Sequence, residues 1–462
     1  MLGAGPLFFW AVGVVTKSVE SKRGITSWLA AAPSGVLTAY AVCFSFAAYF
    51  AMFAFRKPFA AASYEGVSWF GGAVGLKSAL VIGQVAGYGL AKFVGVKFIS
   101  ETRRRWRAPL LVALIVAAEG TLLLFAVVPS GWKPAAMFLN GVPLGMVWGL
   151  VVWYLEGRRV SEILLAGVSC SFIIASGAVK DVGRAVLAGD AIPLLGLRLP
   201  NPLPALDEFW MPAAVGGLFL VPFMFAVAML DRLPEPSALD IAARSPREPM
   251  DGRMRLNFIR RFLPGMALLL VTYFFLTAFR DFRDNYTVEL YTQLGYRYEE
   301  NKTIASRAEL YVSLGVAAVL AMLFFVRDNR RGLLAVFGVI TAGVALLGAS
   351  TWLHSQGRIS GFWWMTLIGL GSYLAYVPYG SVLFDRLMAS TRMAGTAVFA
   401  IYVADSLGYV GTITALLTKD LWAAESSQLE FLQAFAYGLS VAGAACLVAS
   451  ALYFRRATKR VA

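Results

Sequence analysis

Long apolar stretches and short polar stretches alternate along the sequence from residue 36 to residue 454. Twelve apolar stretches have the length of a transmembrane helix, because about 20 helical residues cross the roughly 30 Å of hydrocarbon in a bilayer. We number them segments 1 to 12, and they cover residues 36–57, 77–98, 108–128, 134–155, 162–186, 210–230, 261–282, 309–326, 332–353, 361–385, 393–417 and 431–454. The pattern predicts an all-α integral membrane protein.

The composition agrees with this class, and the distribution of charge predicts an orientation. Hydrophobic residues make up 59% of the 462 residues and charged residues 15%, and the mean hydropathy is +0.68. Such a composition excludes an ordinary soluble domain. Of the 41 lysines and arginines, 26 lie on the side of the two termini and nine on the other side. The positive-inside rule therefore predicts a multi-pass protein of the cell inner membrane with both termini cytoplasmic.

The net charge of +14 follows from this bias, so the lipid bilayer is a predicted partner and nucleic acid is not. A polar loop rich in proline and charge divides the twelve segments into two sets of six. The predicted organisation is a cytoplasmic or interfacial segment at 1–35, a six-helix bundle at 36–230, a cytoplasmic linker at 231–260, a second six-helix bundle at 261–455 and a cytoplasmic tail at 456–462. Two such bundles are typical of a secondary transporter, here expected to be a monomer, with its site between the halves.

Two arginines end corresponding segments of the two halves. Arg56 follows the apolar run of segment 1, and Arg280 follows that of segment 7. Each is either an anchor at the membrane edge or a charge held inside the protein for a purpose. Tyr49 precedes Arg56 by seven residues, and Tyr88 precedes Lys92 by four, spacings that return to one face of a helix.

Several stretches of the sequence resemble one family of transporters. They are FAFRKPFAAASY at 53–64, SALVIGQVAGYGLAKF at 78–93, FLNGVPLGMVWG at 138–149, YLAYVPYGSVLFDRLMASTRMAGTAVFA at 373–400 and GYVGTITALL at 408–417. These stretches are similar to the organophosphate:phosphate antiporters of the major facilitator superfamily, the glycerol-3-phosphate and hexose-phosphate transporters. The resemblance implies the superfamily fold, with twelve transmembrane helices in two six-helix bundles, and transport by alternating access.

The resemblance also implies a binding site and a substrate. In that family two arginines and a lysine bind the phosphate of the substrate, and two tyrosines line the site; the matching residues are Arg56, Arg280, Lys92, Tyr49 and Tyr88. The implied activity is transport of a small organic anion, a phosphorylated metabolite, in exchange for another anion. The chain departs from the family in segment 5, where Phe172 stands near the expected histidine, and its sole histidine is His354 at the end of segment 9.

Other charged residues inside the segments leave alternatives open. Asp405 and Glu119 are candidates for proton coupling, because carboxylates inside a membrane often serve as proton relays. Lys180 and Asp181 are candidates for charge coupling, or for a pair with each other or with a neighbour.

Two of the site residues also have structural interpretations. Lys92 is also consistent with an anchor at the cytoplasmic end of segment 2. Arg280 lies four residues before Asp284, and an ion pair at that spacing would neutralise it within its own helix.

Three functions follow from these alternatives. They are an anion antiporter, a proton-coupled symporter or exporter of another small solute, and a membrane sensor derived from a transporter. An enzyme is not predicted, because the sequence contains no Walker loop and no cluster of histidine and cysteine with metal-ligand spacing. No cofactor and no metal are predicted either.

The predicted orientation can be tested with reporter fusions. Because basic residues concentrate on one side, a reporter fused at residue 245 and one fused at the C-terminus are both expected to report the cytoplasm. A periplasmic signal from either fusion would remove the assignment of two six-helix bundles.

Overall fold

The computed structural model describes residues 24–69, 71–155, 158, 161–194, 196–237, 240, 252–326, 328–391 and 397–459. The first 23 residues of the predicted N-terminal segment, much of the predicted linker and the last three residues of the tail lie outside this part of the chain.

An α-helix lies in each of the twelve predicted segments. They are α2 Ser34–Met52, α3 Leu76–Glu101, α4 Arg107–Val127, α5 Lys133–Leu155, α6 Ser161–Ala188, α7 Met211–Leu230, α8 Gly252–Asn285, α10 Ile304–Phe324, α11 Asn329–Ser355, α12 Gly361–Pro378, α14 Ala397–Leu421 and α15 Gln428–Lys459. Segment 10 continues from α12 through a π-helical turn at Tyr379–Leu383 into α13 Phe384–Thr391. Two short helices, α1 Ile25–Ala31 and α9 Thr287–Gln293, lie outside the predicted segments.

Short elements connect some of these helices. Two antiparallel hairpins pair β1 Ser68–Trp69 with β2 Val74–Gly75, and β3 Ile192–Leu194 with β4 Leu197–Leu199. Turns of 3-10 helix cover Phe53–Phe55, Pro58–Ala61, Arg104–Trp106 and Ser130–Trp132.

Within the described residues, ten helices are long and apolar enough to cross a membrane. Helices α3 and α6, with 26 and 28 residues, cover the other two predicted segments. We call the end of the helices that carries residues 56–75 the outer end, following the orientation predicted from the basic residues.

The helices pack as two halves. Helices α2 to α7, the N-terminal half, pack mainly against one another, and α8 to α15, the C-terminal half, do the same. Among the described residues, the main helix contacts between the halves are those of α3 with α14 and of α6 with α10. The boundaries of the two bundles given above stay a prediction.

Glycines allow close backbone contact within each half. A Cβ atom added at Gly141 of α5 would lie 2.7 Å from the backbone nitrogen of Tyr88 in α3, and closer still to the carbonyl oxygen of Gln84. In the C-terminal half, a Cβ atom at Gly408 of α14 would lie 2.8 Å from Oγ1 of Thr277 in α8. Real Cβ atoms do not approach other atoms this closely, so a larger residue would push the paired helices apart.

Substitution of Gly141 tests the contact between α3 and α5. We expect Gly141→Ala to lower the free energy of unfolding by about 1–3 kcal/mol, because the added methyl group meets backbone that cannot move aside. The melting temperature of the purified protein in detergent measures this change. Gly120→Ala in α4 is the matched control, since open space surrounds that position. Equal melting temperatures for the two variants would contradict the close contact.

Candidate functional site

Arg56 lies at the point where helix α2 breaks. The α-helix ends at Met52, a 3-10 turn covers Phe53–Phe55, and Pro58 begins a second 3-10 turn. Proline has no backbone N–H to donate to a preceding carbonyl group, so an unbroken helix does not continue through residue 58. The prediction of one helix over 36–57 is therefore wrong at its end, and the seven-residue spacing from Tyr49 does not fix the direction of Arg56.

Two side-chain amides stabilise this break. Gln84 Nε2 donates to the carbonyl oxygen of Arg56 at 2.9 Å and to Oδ1 of Asn140 at 2.8 Å. Asn140 Nδ2 donates to the carbonyl oxygens of Phe55 at 3.3 Å and Ala118 at 3.1 Å. Both amides are buried, and they bind backbone carbonyl groups where the helix hydrogen bonding is interrupted.

The guanidinium group of Arg56 packs on an aromatic ring. Its Cζ lies 4.3 Å from the ring centre of Tyr88 in α3 and 5.6 Å from that of Phe53. Its Nε atom is buried and has no hydrogen-bond partner in the described part of the chain. No carboxylate among the described residues forms an ion pair with Arg56.

Lys92 pairs with a carboxylate from the other half. Its Nζ contacts Oδ2 of Asp405 in α14, and the two side chains are 18% and 13% exposed. Tyr273 of α8 donates its hydroxyl to the other oxygen of Asp405 at 2.6 Å. The Lys92 ammonium also lies 5.6 Å from the ring centre of Tyr88 and 5.4 Å from that of Tyr409. Lys92 is therefore part of the interface between the halves, which does not fit the interpretation of a lipid-edge anchor.

Arg280 pairs with its neighbour in sequence. Its Nη2 lies 2.5 Å from Oδ1 of Asp281, and Thr412 of α14 donates to the other oxygen at 2.8 Å. The alternative pair between Arg280 and Asp284 is not formed, because Asp284 binds two lysines of the other half. The Arg280 guanidinium also packs 3.7 Å from the ring centre of Tyr376 in α12.

A continuous series of contacts links the two arginines. The ring of Tyr273 stacks on that of Tyr376 at 5.5 Å, so Asp405 and Arg280 contact neighbouring aromatic rings. We call the series the central cluster; it runs through Arg56, Tyr88, Lys92, Asp405, Tyr273, Tyr376 and Arg280. Its members come from α2's end, α3, α14, α8 and α12, so both halves contribute.

Other aromatic side chains lie around the central cluster. Tyr409 of α14 packs edge-on against Tyr88 at 5.8 Å. Tyr49 packs edge-on against Trp148 at 4.8 Å and lies 5.7 Å from the ring of Phe53. Both of these aromatic neighbours belong to the N-terminal half.

The two residues that mark the departure from the antiporter family have different surroundings. Phe172 lies 6.0 Å from the ring of Tyr373 across the interface between the halves. His354 stacks on Trp364 at 5.1 Å, and its Nδ1 lies 3.2 Å from the carbonyl oxygen of Ile359. The histidine is thus in a local contact of the C-terminal half.

A second charge cluster holds the halves together at the outer end. Nζ of Lys57 lies 2.6 Å from Oδ2 of Asp284, and Nζ of Lys180 lies 2.8 Å from the other oxygen. Ser176 donates to the same carboxylate, and Lys180 donates to Oγ1 of Thr287 at 3.0 Å. We call Lys57, Lys180 and Asp284 the outer lock. All three side chains are at most 7% exposed.

The remaining carboxylate candidates lie elsewhere. Asp181 accepts from the backbone N–H of Ser306 at 2.7 Å, where α10 begins, so Lys180 and Asp181 do not pair with each other. Glu119 of α4 faces Gly216 of α7, and its buried Oε2 has no hydrogen-bond partner in the described residues. Glu119 is therefore in the N-terminal half, apart from the contacts of the central cluster.

In two further contacts at the outer end, as in the outer lock, the donor belongs to the N-terminal half and the carboxylate to the C-terminal half. Lys77 of α3 pairs with Glu289 of α9, and the backbone N–H of Gly75 donates to Asp420 at 3.1 Å. The pair of Lys302 and Asp190 has the opposite arrangement. Nζ of Lys302, in a loop of the C-terminal half, lies 2.7 Å from Oδ2 of Asp190, in a loop of the N-terminal half. The hydrogen bond from Lys302 holds the pKa of the partly exposed Asp190 carboxyl below its usual range.

Sequence reasoning missed several members of these clusters. Tyr273 carries a signal that was available, because it precedes Arg280 by seven residues, as Tyr49 precedes Arg56 in the other half. Lys57 follows Arg56 directly, but the partner Asp284 lies 227 positions away in the sequence, and no local pattern joins them. Gln84 and Asn140 lie within two of the quoted stretches and are identified only by their contacts with the broken helix.

Comparison with known proteins defines the family. The sequence profile of a family of unknown function, DUF5690, matches residues 58–457. This chain belongs to that family. No curated protein matches its sequence.

Two solved structures share the fold of this DUF5690 protein. The nucleoside transporter NupG matches with a TM-score of 0.57 and 14% identity, over 90% of this chain and 98% of the other. A D-xylose-proton symporter matches with a TM-score of 0.56 and 14% identity, over 90% and 96% of the two chains. The predicted fold class is confirmed, an all-α membrane fold of the major facilitator superfamily. Membership of the organophosphate antiporters stays a prediction.

Removing the carboxylate of the outer lock is expected to destabilise the protein. Asp284→Ala leaves two buried ammonium groups without a counter-charge, and breaking a buried ion pair in this way costs about 3–5 kcal/mol. The melting temperature in detergent should fall accordingly. Glu235→Ala is the control, because the Glu235 side chain is 78% exposed in its pair with Arg104 and such pairs contribute about 0–1 kcal/mol. If Glu235→Ala lowered the melting temperature as much as Asp284→Ala or more, the stabilising role of the outer lock would be contradicted.

Proposed function

We propose that this protein is a secondary active transporter of a small organic anion that works by alternating access. The observation that carries the proposal is the central cluster, in which arginines from both halves pack on tyrosine rings and one of them, Arg56, has no carboxylate partner among the described residues. The fold supports it, since the two structural neighbours are named as transporters of solutes. In this proposal the substrate binds at Arg56, Arg280, Lys92, Tyr49 and Tyr88.

The charge of Arg56 favours an anionic substrate. An arginine held within a membrane protein is costly unless a negative group or water compensates it. Its guanidinium presents a planar set of donors that fits two oxygens of a phosphate or carboxylate. Tyr88 covers one face of that group and leaves the donors at its edge for a ligand. A neutral or cationic solute would leave this charge without a partner.

Alternating access requires the halves to separate at each end in turn. The outer lock joins Lys57 and Lys180 of the N-terminal half to Asp284 of the C-terminal half, so opening at the outer end must break these contacts. The Lys92–Asp405 pair also joins the halves, but at the central cluster. We propose that substrate binding at the central cluster and release of the outer lock are successive steps of one cycle.

A phosphorylated metabolite is the proposed substrate, and exchange for another anion is the proposed mode. The support is the resemblance of the sequence stretches quoted above and the guanidinium group of Arg56, whose planar donors fit two oxygens. Arg280 adds positive charge, although its Nε and Nη2 already contact Asp281. The proposed setting is the cell inner membrane, with both termini cytoplasmic, a six-helix bundle on each side of the 231–260 linker, and a monomeric protein. Proton-coupled transport is the second candidate, because the carboxylate of Asp405 lies within the same cluster.

Conservative substitution of the two arginines tests the site. Arg56→Lys and Arg280→Lys keep the positive charge but lose the planar guanidinium group and its fixed set of donors. Each charge-assisted hydrogen bond that is lost contributes about 1.5–3 kcal/mol to binding. We expect binding of phosphorylated sugars, glycerol phosphate or dicarboxylates to weaken by about tenfold or more, measured by titration calorimetry on the purified protein. Arg198→Lys, at an exposed position of β4, is the matched control and should bind as the unchanged protein does.

Uptake into proteoliposomes separates the candidate functions. With phosphate inside the vesicles, an exchanger takes up labelled glycerol phosphate, and without it uptake falls to background. Uptake that needs a proton gradient instead identifies the second candidate. If the substitutions change neither binding nor uptake of any anion that the unchanged protein handles, the arginines are not the site and the proposal is wrong.

A further inference from the structure

The central cluster has an internal charge balance that bears on how its substrate is bound, and the inference rests on the proposed function. Counted together with Asp281, the ion-pair partner of Arg280, the cluster has three cations, Arg56, Lys92 and Arg280, and two carboxylates, Asp281 and Asp405. The cluster without substrate therefore carries one net positive charge. A dianion such as a phosphate monoester would give it one net negative charge.

The two carboxylates differ in how they are held. Asp281 is adjacent to Arg280 in helix α8, with contacts to Nε at 3.1 Å and Nη2 at 2.5 Å, so movement of the halves does not separate this pair. Asp405 and Lys92 belong to opposite halves, and their contact depends on the relative position of α3 and α14. Lys92 is thus the cation whose partner can change during transport.

We propose that Asp405 is the internal counter-ion of Lys92, that the substrate anion displaces it, and that Asp405 binds one proton when it is displaced. The ammonium of Lys92 then binds an oxygen of the substrate. The Asp405 carboxylate takes a proton from the aqueous phase that the site faces and becomes a neutral carboxylic acid. One dianion and one proton enter the cluster together, whether transport is exchange or net uptake.

The surroundings of Asp405 favour a proton over another cation. The titratable groups that face it are Lys92 from α3, the phenol of Tyr273 from α8 and Tyr409 from its own helix. Tyr376 from α12 lies behind them, with its ring stacked on that of Tyr273. Among the described residues, Lys92 is the only cation in contact with this carboxylate. Once Lys92 leaves, the phenols can donate hydrogen bonds but supply no positive charge, and an ionised carboxylate inside a membrane protein is costly.

The charge balance also links proton binding to the charge of the substrate. A dianion bound with one proton brings the net charge of the cluster to zero. A monoanion bound with a proton would leave it at one positive charge, and a dianion without a proton at one negative charge. A monoanion bound without a proton would also bring it to zero. Since a neutral cluster is the least costly to bury between the halves, a dianion is the class of substrate that brings a proton to this site, and a monoanion does not.

Proton uptake on binding tests the proposal. Glycerol 3-phosphate is the probe, titrated into the purified full-length protein between about pH 7.5 and pH 9, where a phosphate monoester is predominantly a dianion. We expect calorimetry in buffers of different ionisation enthalpy to report about one proton taken up per bound probe. The dissociation constant should then rise about tenfold for each unit of pH.

Asp405→Asn should remove both effects, so that the variant binds the dianion with no proton uptake and with a pH-independent affinity. Lys92→Gln is a second variant, in which Asp405 has lost its counter-ion before the probe arrives, and it should bind more weakly and also without proton uptake. Asp190→Asn, at an exposed loop, is the control and should keep the uptake.

Each outcome is decisive. Binding by the unchanged protein without proton uptake, or equal uptake by the protein with and without Asp405, would overturn the role of Asp405 and leave the anion transporter standing. If the unchanged protein binds neither glycerol 3-phosphate nor any other anion of the binding panel, the anion site itself is absent and both proposals fall.

Discussion

A charged side chain inside a membrane protein is stable only beside a partner, and this requirement organises the interior of the protein. The described cations of the interface each have a stabilising neighbour, either a carboxylate or an aromatic ring. Lys57 and Lys180 share one carboxylate, Lys92 has another, and Arg56 packs on a tyrosine ring. Because these partners come mostly from the opposite half, the same contacts that stabilise the charges also hold the halves together.

The fold could be predicted from the sequence, because hydrocarbon thickness fixes the length of an apolar helix and twelve such stretches are present. The ends of the helices were less certain. Segment 1 was predicted as one helix to residue 57, but the helix ends at Met52, and buried amides of Gln84 and Asn140 support the break. Hydropathy does not report such a break, because the residues on both sides of it are apolar.

The site was predictable in its residue types and much less in its pairings. The sequence indicates Arg56, Arg280 and Lys92 as charges in or near the membrane, and the structure links all three through one series of contacts. It does not indicate which carboxylate each cation meets. The spacing of Arg280 and Asp284 favours a pair within one helix, yet two lysines from the other half bind Asp284. Two cations attract a buried carboxylate more strongly than one, and this competition is visible only in three dimensions.

The close glycine contacts have a mechanical consequence. At Gly141, α3 and α5 meet backbone to backbone, and at Gly408, α14 packs tightly on α8. Lys92 is therefore carried by one stiff pair of helices, and Asp405 and Arg280 by another. In the proposed transport cycle, Lys92 would therefore move with α3 and α5, and Asp405 and Arg280 would move with α14 and α8. The distance between a spin label on α5 and a second one on α8 would then report the separation of Lys92 from Asp405 and Arg280.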